Sequence, residues 1–580
     1  MFNARLYRAA LVPAVIAFVV MMFSFEPIPR ALSEPVATPE FGGTASARTA
    51  RKIALSAEDR SAGSVGDRAV AAQVRDAFEA IEGADTSVQD FSSGGVDLQN
   101  VILTIPGASN ETIVVLAARD SDRGLGAASS AAATAELIGL ARALGTQRHQ
   151  RTIMLASTDG AEGALGAREL IASLPRPDDI VAAIALSQSG VEDPRPPFVL
   201  PWGTGPESAD AELVQSARSI ASRSFGQHDP SPGTWAGLSR LAFPAGLSEA
   251  APLRGEGIEA IGLSGHGERL IAPEEDQSVS SETMQQAGTA ALDLILTLDA
   301  ARPGAPDAGP SDYVRVGDNL IPGWTISLLA LALLVAPIAT AAELWGREQR
   351  QNWRTRRTIP WALERALLPL AALLLAYGLS LVGLIPDPPY PFDPAAYPPG
   401  VKGPIAAAAL AGAVIIATLL VRPMRTPLDA QAHTLAAAAG LVTGGALVVM
   451  WLLNPYLTLL LFGAANVWML PARAAGPPRA LVVAAVAVAS LAGALAAAAT
   501  VAAELDLGLA APWQLLLAIV DGQVGLATCL AWTVLIGGLI AAVSATAADR
   551  RGGGGSIRGA GTHIGPGALG SMPAADARRR

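Results

Sequence analysis

The sequence has 580 residues, which is more than one ordinary soluble core holds, so several structural units are expected. Its residues are 51% hydrophobic and only 16% charged, which excludes a disordered chain and a purely soluble enzyme and indicates a membrane protein. The net charge of −10 argues against nucleic acid as a partner, because binding to phosphates needs a basic surface. A single cysteine, Cys529, excludes intrachain disulfides and cysteine-rich metal sites.

The basic residues are almost all arginine. Lys52 and Lys402 are the only lysines among 41 basic side chains, and alanine, glycine and proline are abundant. This bias is typical of a GC-rich genome and suggests a bacterial source.

Residues 1–33 form a leader. Arg5 and Arg8 precede an apolar run at 9–25, a pattern that fits a signal peptide or an uncleaved membrane anchor. A cleavage site could lie at 31–33, but an anchor is the preferred interpretation. Either alternative exports the chain that follows, because the positively charged flank stays in the cytoplasm.

Residues 34–317 have a soluble composition, in which short apolar runs alternate with amphipathic helical stretches. The strands are continuous hydrophobic runs, which is typical of sheets buried on both faces. The sequence therefore predicts an extracytoplasmic α/β domain, a three-layer αβα sandwich with a mostly parallel sheet. Strands are predicted at 101–105, 112–118, 152–156 and 180–186, and helices at 127–144 and 162–173.

Residues 318–549 contain apolar runs that are long enough to cross a bilayer, which takes about twenty residues. Together with the leader they predict eight spans. The seven spans of this half are expected near 321–344, 361–384, 405–421, 435–453, 456–470, 480–501 and 524–545. The boundaries around 454–456 and 511–524 are the least defined.

Arginines distinguish the two sides of the membrane. They cluster in alternate connections, at 347–357, 422–425, 473–479 and 550–551, whereas the opposite connections hold only Lys402. The positive-inside rule then predicts a cell membrane protein with both termini cytoplasmic and residues 34–317 outside. The glycine-rich tail, 550–580, is predicted to be disordered.

Three motifs occur one after another along the α/β domain. An apolar strand at 113–121 ends in Ala-Arg-Asp-Ser, Asp-Gly-Ala-Glu occupies 159–162, and Ser-Glu-Ala-Ala-Pro-Leu occupies 248–253. They resemble His-x-Asp-Ser, Asp-Gly-Glu-Glu and Ser-Asp-His-x-Pro-Phe of the co-catalytic zinc aminopeptidases, the family of the bacterial leucyl aminopeptidase type. The resemblance is collinear over roughly two hundred residues and implies the zinc-peptidase fold.

The resemblance also implies where two zinc ions would bind, and most of those positions have changed. Histidines and carboxylates of the family are replaced by methyl and hydroxyl groups, which are poor ligands for a divalent ion. Glu162 keeps a ligand-type acid in one register of the Glu-Glu pair and not in the other. We therefore expect no cofactor and no catalytic residue. The degenerate pocket positions are Ala118, Asp120, Ser129, Ala161, Glu162, Ser187 and Ala250.

Relocated ligands are the alternative. Zinc held by His228, His266, Glu268 and Glu162 would give an active membrane-bound peptidase of the aminopeptidase type. His266 follows a strand predicted at 260–263, where α/β sheets place their sites, so His266 and Glu268 are possible ligand-binding residues. The other explanation is that the histidines are exposed loop residues.

Asp521 lies in the apolar stretch 513–524. A charge at membrane depth costs about 2.5 kcal/mol or more, so Asp521 is a third possible ligand-binding residue, and transport through it is a third hypothesis. If 513–520 form an interfacial helix instead, Asp521 lies near the headgroups. The later spans contain few polar residues, which argues against a transport pathway.

The whole layout is one leading span, an exported peptidase-like domain without its ligands, and seven further spans. It resembles the GPI attachment protein of the GPI transamidase. That resemblance implies a pseudoenzyme domain that binds or scaffolds a peptide, protein or lipid-linked partner beside the membrane lipids. A non-catalytic membrane protein is thus the leading expectation, and the enzyme remains the alternative.

Overall fold

The computed structural model describes residues 3–36, 38–57, 59–122, 124–306, 310–351, 353–424, 430–472 and 480–546. The tail predicted to be disordered, 550–580, lies outside the described residues. The same holds for the arginine-rich connections at 473–479 and 550–551.

The chain begins with two apolar helices, α1 (Ala4–Ala10) and α2 (Val12–Phe23). Asn3 caps α1 by accepting a hydrogen bond from the amide of Leu6. A short strand, β1 (Glu26–Pro27), then pairs antiparallel with Asn319–Pro322, just before the chain re-enters its helical half. The end of the leader helices and the start of the first long helix of that half therefore lie close together.

The α/β domain contains seven strands and eight helices of the α type among the described residues. In chain order they are α3 (Gly43–Ser56), α4 (Val65–Glu79), β2 (Asp85–Ser93), β3 (Val96–Ile105), β4 (Thr112–Ala118), α5 (Ser130–Leu144), β5 (Thr152–Thr158), α6 (Leu165–Ser173), β6 (Ile180–Ser187), β7 (Val199–Leu200), α7 (Ala211–Ser224), α8 (Thr234–Ala242), α9 (Ala250–Gly255), β8 (Ala260–Ser264) and α10 (Ser281–Asp299).

The seven strands form one sheet in the order β2-β3-β5-β4-β6-β8-β7. The four central strands, β5, β4, β6 and β8, are parallel, and the outer pairs are antiparallel. Ile113 to Leu116 on β4 have no exposed surface, because helices cover both faces of the sheet. The predicted α/β fold is confirmed, with a sheet that is mixed and parallel only at its centre.

The two helix layers differ in size. Helices α3, α5, α7 and α10 share one large apolar core with one face of the sheet. The smaller helices α6 and α9 cover the other face. The loops after β4, β5 and β6 follow the carboxyl ends of these parallel strands at one edge of the sheet.

The remaining elements form a helical half entered through a β-hairpin. They are β9 (Tyr313–Val316), β10 (Asn319–Pro322), α11 (Gly323–Gln351), α12 (Thr358–Leu363), α13 (Leu367–Leu381), α14 (Lys402–Met424), α15 (Ala432–Leu453), α16 (Pro455–Leu461), α17 (Ala480–Ala489), α18 (Ala492–Glu504), α19 (Ala511–Asp521) and α20 (Leu526–Ala545).

Several of these helices fit the predicted multi-pass membrane protein. In the described part of the chain, six segments are long and apolar enough to cross a bilayer, and α17 with α18, bent by 41°, can form a seventh. The six segments are Ala4–Phe23, Gly323–Gln351, Thr355–Leu381, Lys402–Leu419, Ala432–Leu453 and Leu526–Ala545.

The span predicted at 456–470 has a different geometry. It consists of α16, seven residues long, and a 3-10 helix of eight residues at Phe462–Met469. The larger rise of a 3-10 helix, about 2.0 Å per residue against 1.5 Å, gives this segment a reach of roughly 26 Å, close to the ~30 Å hydrocarbon core. Fifteen residues therefore nearly replace a span of twenty.

Candidate functional site

Three of the positions singled out in the sequence lie at the carboxyl ends of neighbouring strands or in the loop just after one of them. Ala118 ends β4 opposite Thr158 of β5, and Ser187 ends β6 opposite Ser264 of β8. Ala161 follows in the loop after β5. Because parallel strands finish at the same edge of a sheet, these residues lie near one another at the place where the sequence predicts the pocket, and we call this place the strand-end pocket.

Asp120 is buried beneath this pocket and is 4% exposed. Both of its carboxylate oxygens accept hydrogen bonds from the amide of Ala161, at 3.1 and 3.0 Å. Burial, followed by the nearby charge of Asp159, raises the pKa of Asp120 well above its usual range. Asp120 thus fixes the loop after β5.

Arg119 forms an internal ion network on the other side of the same strand end. Its guanidinium contacts Asp67 at 2.8 Å and Asp159 at 3.1 Å, and none of the three side chains is exposed. Burial raises the pKa of Asp67 to about 7, although the charge of Arg119 opposes that rise. Asp159, the first residue of the Asp-Gly-Ala-Glu motif, is therefore buried and ion-paired inside the domain.

Ser129 has a partner that local sequence could not reveal. Its hydroxyl donates to Asp276 Oδ2 at 2.5 Å, and Asp276 Oδ1 accepts the amides of Ala128 and Ser129 at 2.7 and 2.9 Å. Asp276 comes from a loop 147 residues further along the chain. No nearby motif signals this contact.

A buried cation accompanies these carboxylates. Arg60 has no exposed surface, and its guanidinium donates to Ser130 Oγ at 2.9 Å and to the carbonyl of Arg119 at 3.2 Å. Its charge is attracted by Asp276 and Asp120. A fixed arginine therefore neutralises acids around the strand ends, and sequence reasoning did not find it.

Glu249 is a further acid that sequence reasoning did not select. It precedes Ala250, the first residue of α9, and its Oε1 accepts a hydrogen bond from the hydroxyl of Thr158 at 2.9 Å. Burial raises its pKa to about 7. Glu249 is half-buried and adjoins Ala118, so it is an acid at the wall of the strand-end pocket.

Glu162 lies at the outer lip of the pocket. Its carboxylate is hydrogen-bonded to Tyr397, from the connection between α13 and α14, and burial raises its pKa. The negative charges of Asp122 and Asp521 contribute to the same rise. The structure thus brings together Glu162 and Asp521, which the sequence had suggested for unrelated reasons.

The lip is attached to that same connection by the main chain. The amide of Gly163 donates to the carbonyl of Pro391 at 2.8 Å, and Arg168 donates to the carbonyl of Tyr390 at 3.2 Å. Asp521 ends α19, a helix too short to be a span, and is bonded to the amide of Tyr390. Asp521 therefore lies at the junction of the two halves.

The other candidates lie apart from the strand-end pocket. His266 pairs with Arg195 through the backbone, and burial lowers its pKa. Glu268 forms an ion pair with Arg240 and accepts the amide of Leu247 at 2.9 Å. His228 is exposed after α7. The structure does not assemble these residues with Glu162 into one ligand set.

With this geometry in place, comparisons with known proteins are informative. Residues 100–240 match peptidase family M28. None of the curated proteins matches the chain. The match confirms the predicted peptidase-like domain.

Solved structures with a similar fold include a glutaminyl cyclase from an Acidobacteriales bacterium, at 17% identity over 46% of this chain and 99% of that chain, with a TM-score of 0.35. The zinc aminopeptidase BSAP from Bacillus subtilis is 14% identical over 49% and 99%, with a TM-score of 0.38. The LapA aminopeptidase of Legionella pneumophila is 16% identical over 44% and 72%, with a TM-score of 0.36.

The expectation of no cofactor is wrong in the light of these findings. The match to peptidase family M28 points to zinc. The side chains at the strand ends nevertheless do not fit that ion, because Ala118 and Ala250 offer methyl groups and Asp120 is bonded to an amide. Across the described ranges, no group of three or more His, Cys, Asp or Glu side chains is placed to hold a metal.

Proposed function

We propose that the chain is a multi-pass membrane protein whose M28-like domain binds a peptide, protein or lipid-linked partner without hydrolysing it. One observation carries this proposal: the acids around the strand-end pocket already have partners within the chain, in the α/β domain or, for Glu162, in the connection between α13 and α14. Asp120 accepts the amide of Ala161, Asp159 pairs with Arg119, and Asp276 accepts Ser129. A carboxylate that activates water or ligates a metal needs a lone pair directed at the substrate side.

The replaced positions support the same proposal. In the zinc aminopeptidase resemblance, histidines correspond to Ala118 and Ala250, and carboxylates to Ser129 and Ser187. Ala118 and Ser187 are half-buried, so both side chains are partly accessible at the strand ends. These losses favour a pocket that is retained for its shape and for backbone and hydroxyl hydrogen bonds.

The attachment of the domain to the helical half favours a scaffold. Besides Gly163 and Arg168, Gln523 donates to the carbonyl of Thr204 at 2.9 Å, and Trp235 donates to Thr500 at 2.9 Å. Contacts on several sides of the domain restrict its rotation. A partner bound in the strand-end pocket is then held at a fixed distance from the membrane. Because the domain is already fixed, little of its conformational entropy is lost on binding.

We propose the predicted topology as well, with residues 34–317 extracytoplasmic and both termini cytoplasmic. Connections expected on the outer side contact the α/β domain, among them Pro391, Asn454 and Gln523. At the far end of the bundle, the Tyr7 hydroxyl donates to Asn466 at 2.9 Å. The arginine-rich connections favour that far end as the cytoplasmic one.

The arrangement of the whole chain resembles that of the GPI attachment protein of the GPI transamidase, and this resemblance is part of the proposal. It suggests that the pocket holds a partner for chemistry performed elsewhere. Membrane lipids surround the helical half in either case.

An active zinc peptidase is the second candidate, and the match to family M28 favours it. It requires ligands from among His228, His266, Glu268 and Glu162 to converge. Glu268 would first have to leave Arg240, which is buried. Breaking a buried pair costs up to about 3–5 kcal/mol, and here, among the described residues, the buried arginine would keep only Glu504, at 3.3 Å, as its counter-ion.

One experiment separates the two candidates. Full-length protein in lipid nanodiscs is incubated with a library of fluorescently labelled peptides, and binding is read by fluorescence polarisation and cleavage by mass spectrometry. The binding proposal expects peptides to be bound equally with and without a chelator, and no cleavage. Chelator-sensitive release of amino-terminal residues, with stoichiometric zinc in elemental analysis, would establish the peptidase instead.

Two variants locate the binding. Ala118→Trp fills the strand-end pocket and should abolish binding, whereas Ala80→Trp, at the exposed end of α4, should leave it unchanged. Equal binding by both variants would show that the pocket is not the site.

A further inference from the structure

A second cavity lies at the end of the helical half that is farther from the α/β domain. It has a volume of about 640 Å³ and opens between α1, the 3-10 helix at Phe462–Met469, and α17. Volumes of ~300–1,000 Å³ are ordinary for small-ligand sites. The 3-10 helix of the fifth segment of the helical half forms one of its walls.

The wall of this cleft is apolar in one part and polar in another. Phe462, Val486 and Leu470 give it an apolar surface. Tyr7, Arg8 and Asn466 are polar, and the hydroxyl of Tyr7 donates to Asn466 Oδ1 at 2.9 Å. One amide hydrogen of Asn466 is donated to the carbonyl of Phe462 at 3.2 Å.

Arg8 supplies the charge of the cleft. Its side chain is exposed and forms no ion pair with the residues that the structure describes. A guanidinium matches phosphate in geometry and charge, and an arginine at the end of a membrane helix reaches the headgroup level. An apolar wall beneath a cation fits one molecule that is always present at this depth, an anionic phospholipid.

We propose that this cleft binds one anionic phospholipid, with its phosphate at Arg8 and Asn466 and an acyl chain against Phe462 and Val486. The lipid belongs to the leaflet farther from the α/β domain. It completes the packing between the leader and the short segment. The inference rests on membrane embedding of the helices and is independent of what the strand-end pocket binds.

The test uses full-length protein purified from nanodiscs that contain equal parts of phosphatidylglycerol and phosphatidylcholine. Native mass spectrometry counts the lipids retained by each protein. We expect one retained phosphatidylglycerol, a loss of at least fivefold in Arg8→Gln, and no change in Arg5→Gln. Arg5 lies on the same helix with the same charge and does not border the cleft.

A second variant tests the apolar wall separately. Val486→Trp should reduce retention of both lipids by filling the cleft, while the phosphate contacts stay in place. Equal retention by wild type, Arg8→Gln and Arg5→Gln would overturn the proposal. Equal retention of the two lipids by wild type would overturn the requirement for an anionic headgroup.

Discussion

The side-chain amide of Asn454, between α15 and α16, donates to the carbonyl of Leu241 in α8 at 2.9 Å. It also donates to the carbonyl of Ala242 at 3.2 Å, and its Oδ1 accepts the amide of Leu457 at 2.9 Å. One side chain therefore joins the α/β domain to the helical half and caps α16. Asn454 is 8% exposed, so water does not replace these bonds if they are lost.

Asn454→Leu should destabilise the full-length protein by about 1–3 kcal/mol, because two carbonyls and one amide lose their partner. The drop in Tm should be smaller than the ~2–4 °C per kcal/mol that is typical of domains of about 150–250 residues, because the unfolding entropy grows with chain length. Thermal unfolding in detergent, followed by circular dichroism, measures it. Asn110→Leu, at an exposed loop position, is the matched control. Equal Tm values for both variants would contradict a joining role.

Arg119 is the centre of a buried network in which two acids share one cation. Arg119→Met should cost about 3–5 kcal/mol, because Asp67 and Asp159 then remain buried without a counter-ion. Arg75→Met, which breaks only half-exposed surface pairs, should cost less than about 1 kcal/mol. Thermal unfolding of both variants provides the comparison. A small effect at Arg119 would show that the acids are protonated or solvated.

Much of the α/β core could be predicted from the sequence, because its strands are buried on both faces. The strand expected at 112–118 is β4, Thr112–Ala118, and the one expected at 180–186 is β6, Ile180–Ser187. Each is a short continuous apolar run, rich in Val or Ile, between polar segments, and that combination favours a fully buried strand.

The remaining elements depend on contacts that a local pattern does not contain. The two-residue strand β1 exists only because it pairs with β10. The second half of the segment expected at 456–470 is a 3-10 helix, and its residues are as apolar as those of a membrane-spanning α-helix. Periodicity could not distinguish them.

Only part of the candidate site could be predicted from the sequence, because some of its contacts join residues that are far apart in the chain. The strand ends at Ala118 and Ser187 follow from the parallel order of the sheet. Arg60 and Asp276, which neutralise and cap the surroundings of Ser129, come from distant loops. The approach of Asp521 to Glu162 depends on how the connection at 386–403 folds, and that segment has no repeating pattern.

Glu136 predicts a dependence of stability on pH. It lies on α5 with 1% exposure, next to a cavity of about 10 Å³, and burial raises its pKa to about 7. Between its unfolded value and pH 7, the folded state keeps a proton that the unfolded chain releases. The contribution of protonated Glu136 to stability is therefore fully present below about pH 4.5 and is lost as the pH rises through 7.

Glu136→Gln should remove this loss. The variant is expected to exceed wild type by roughly 3 kcal/mol at pH 8 and to match it near pH 4.5. Thermal unfolding at both pH values measures the difference. Glu282→Gln, at an exposed position of α10, should follow the wild-type curve. Parallel curves for wild type and Glu136→Gln would contradict the buried, protonated state.

Gly163 tests the contact between the pocket lip and the helical half. Its φ of +79° lies in the left-handed region, and a Cβ placed there would come within 2.9 Å of Pro389 Cβ. Gly83 has nearly the same φ, +78°, with nothing within 4 Å of such a Cβ. Both alanine variants share the backbone strain, which is of order 1 kcal/mol, but only Gly163→Ala also pushes against Pro389.

Gly163→Ala should therefore lower the Tm more than Gly83→Ala, by an amount equivalent to about 1–3 kcal/mol for the overpacked contact. Because the amide of Gly163 donates to Pro391, displacement of the lip should also increase hydrogen exchange in the connection at 386–403. Exchange mass spectrometry of the full-length protein provides that readout. Unchanged exchange, together with equal Tm values, would mean that the lip and this connection are not coupled in solution.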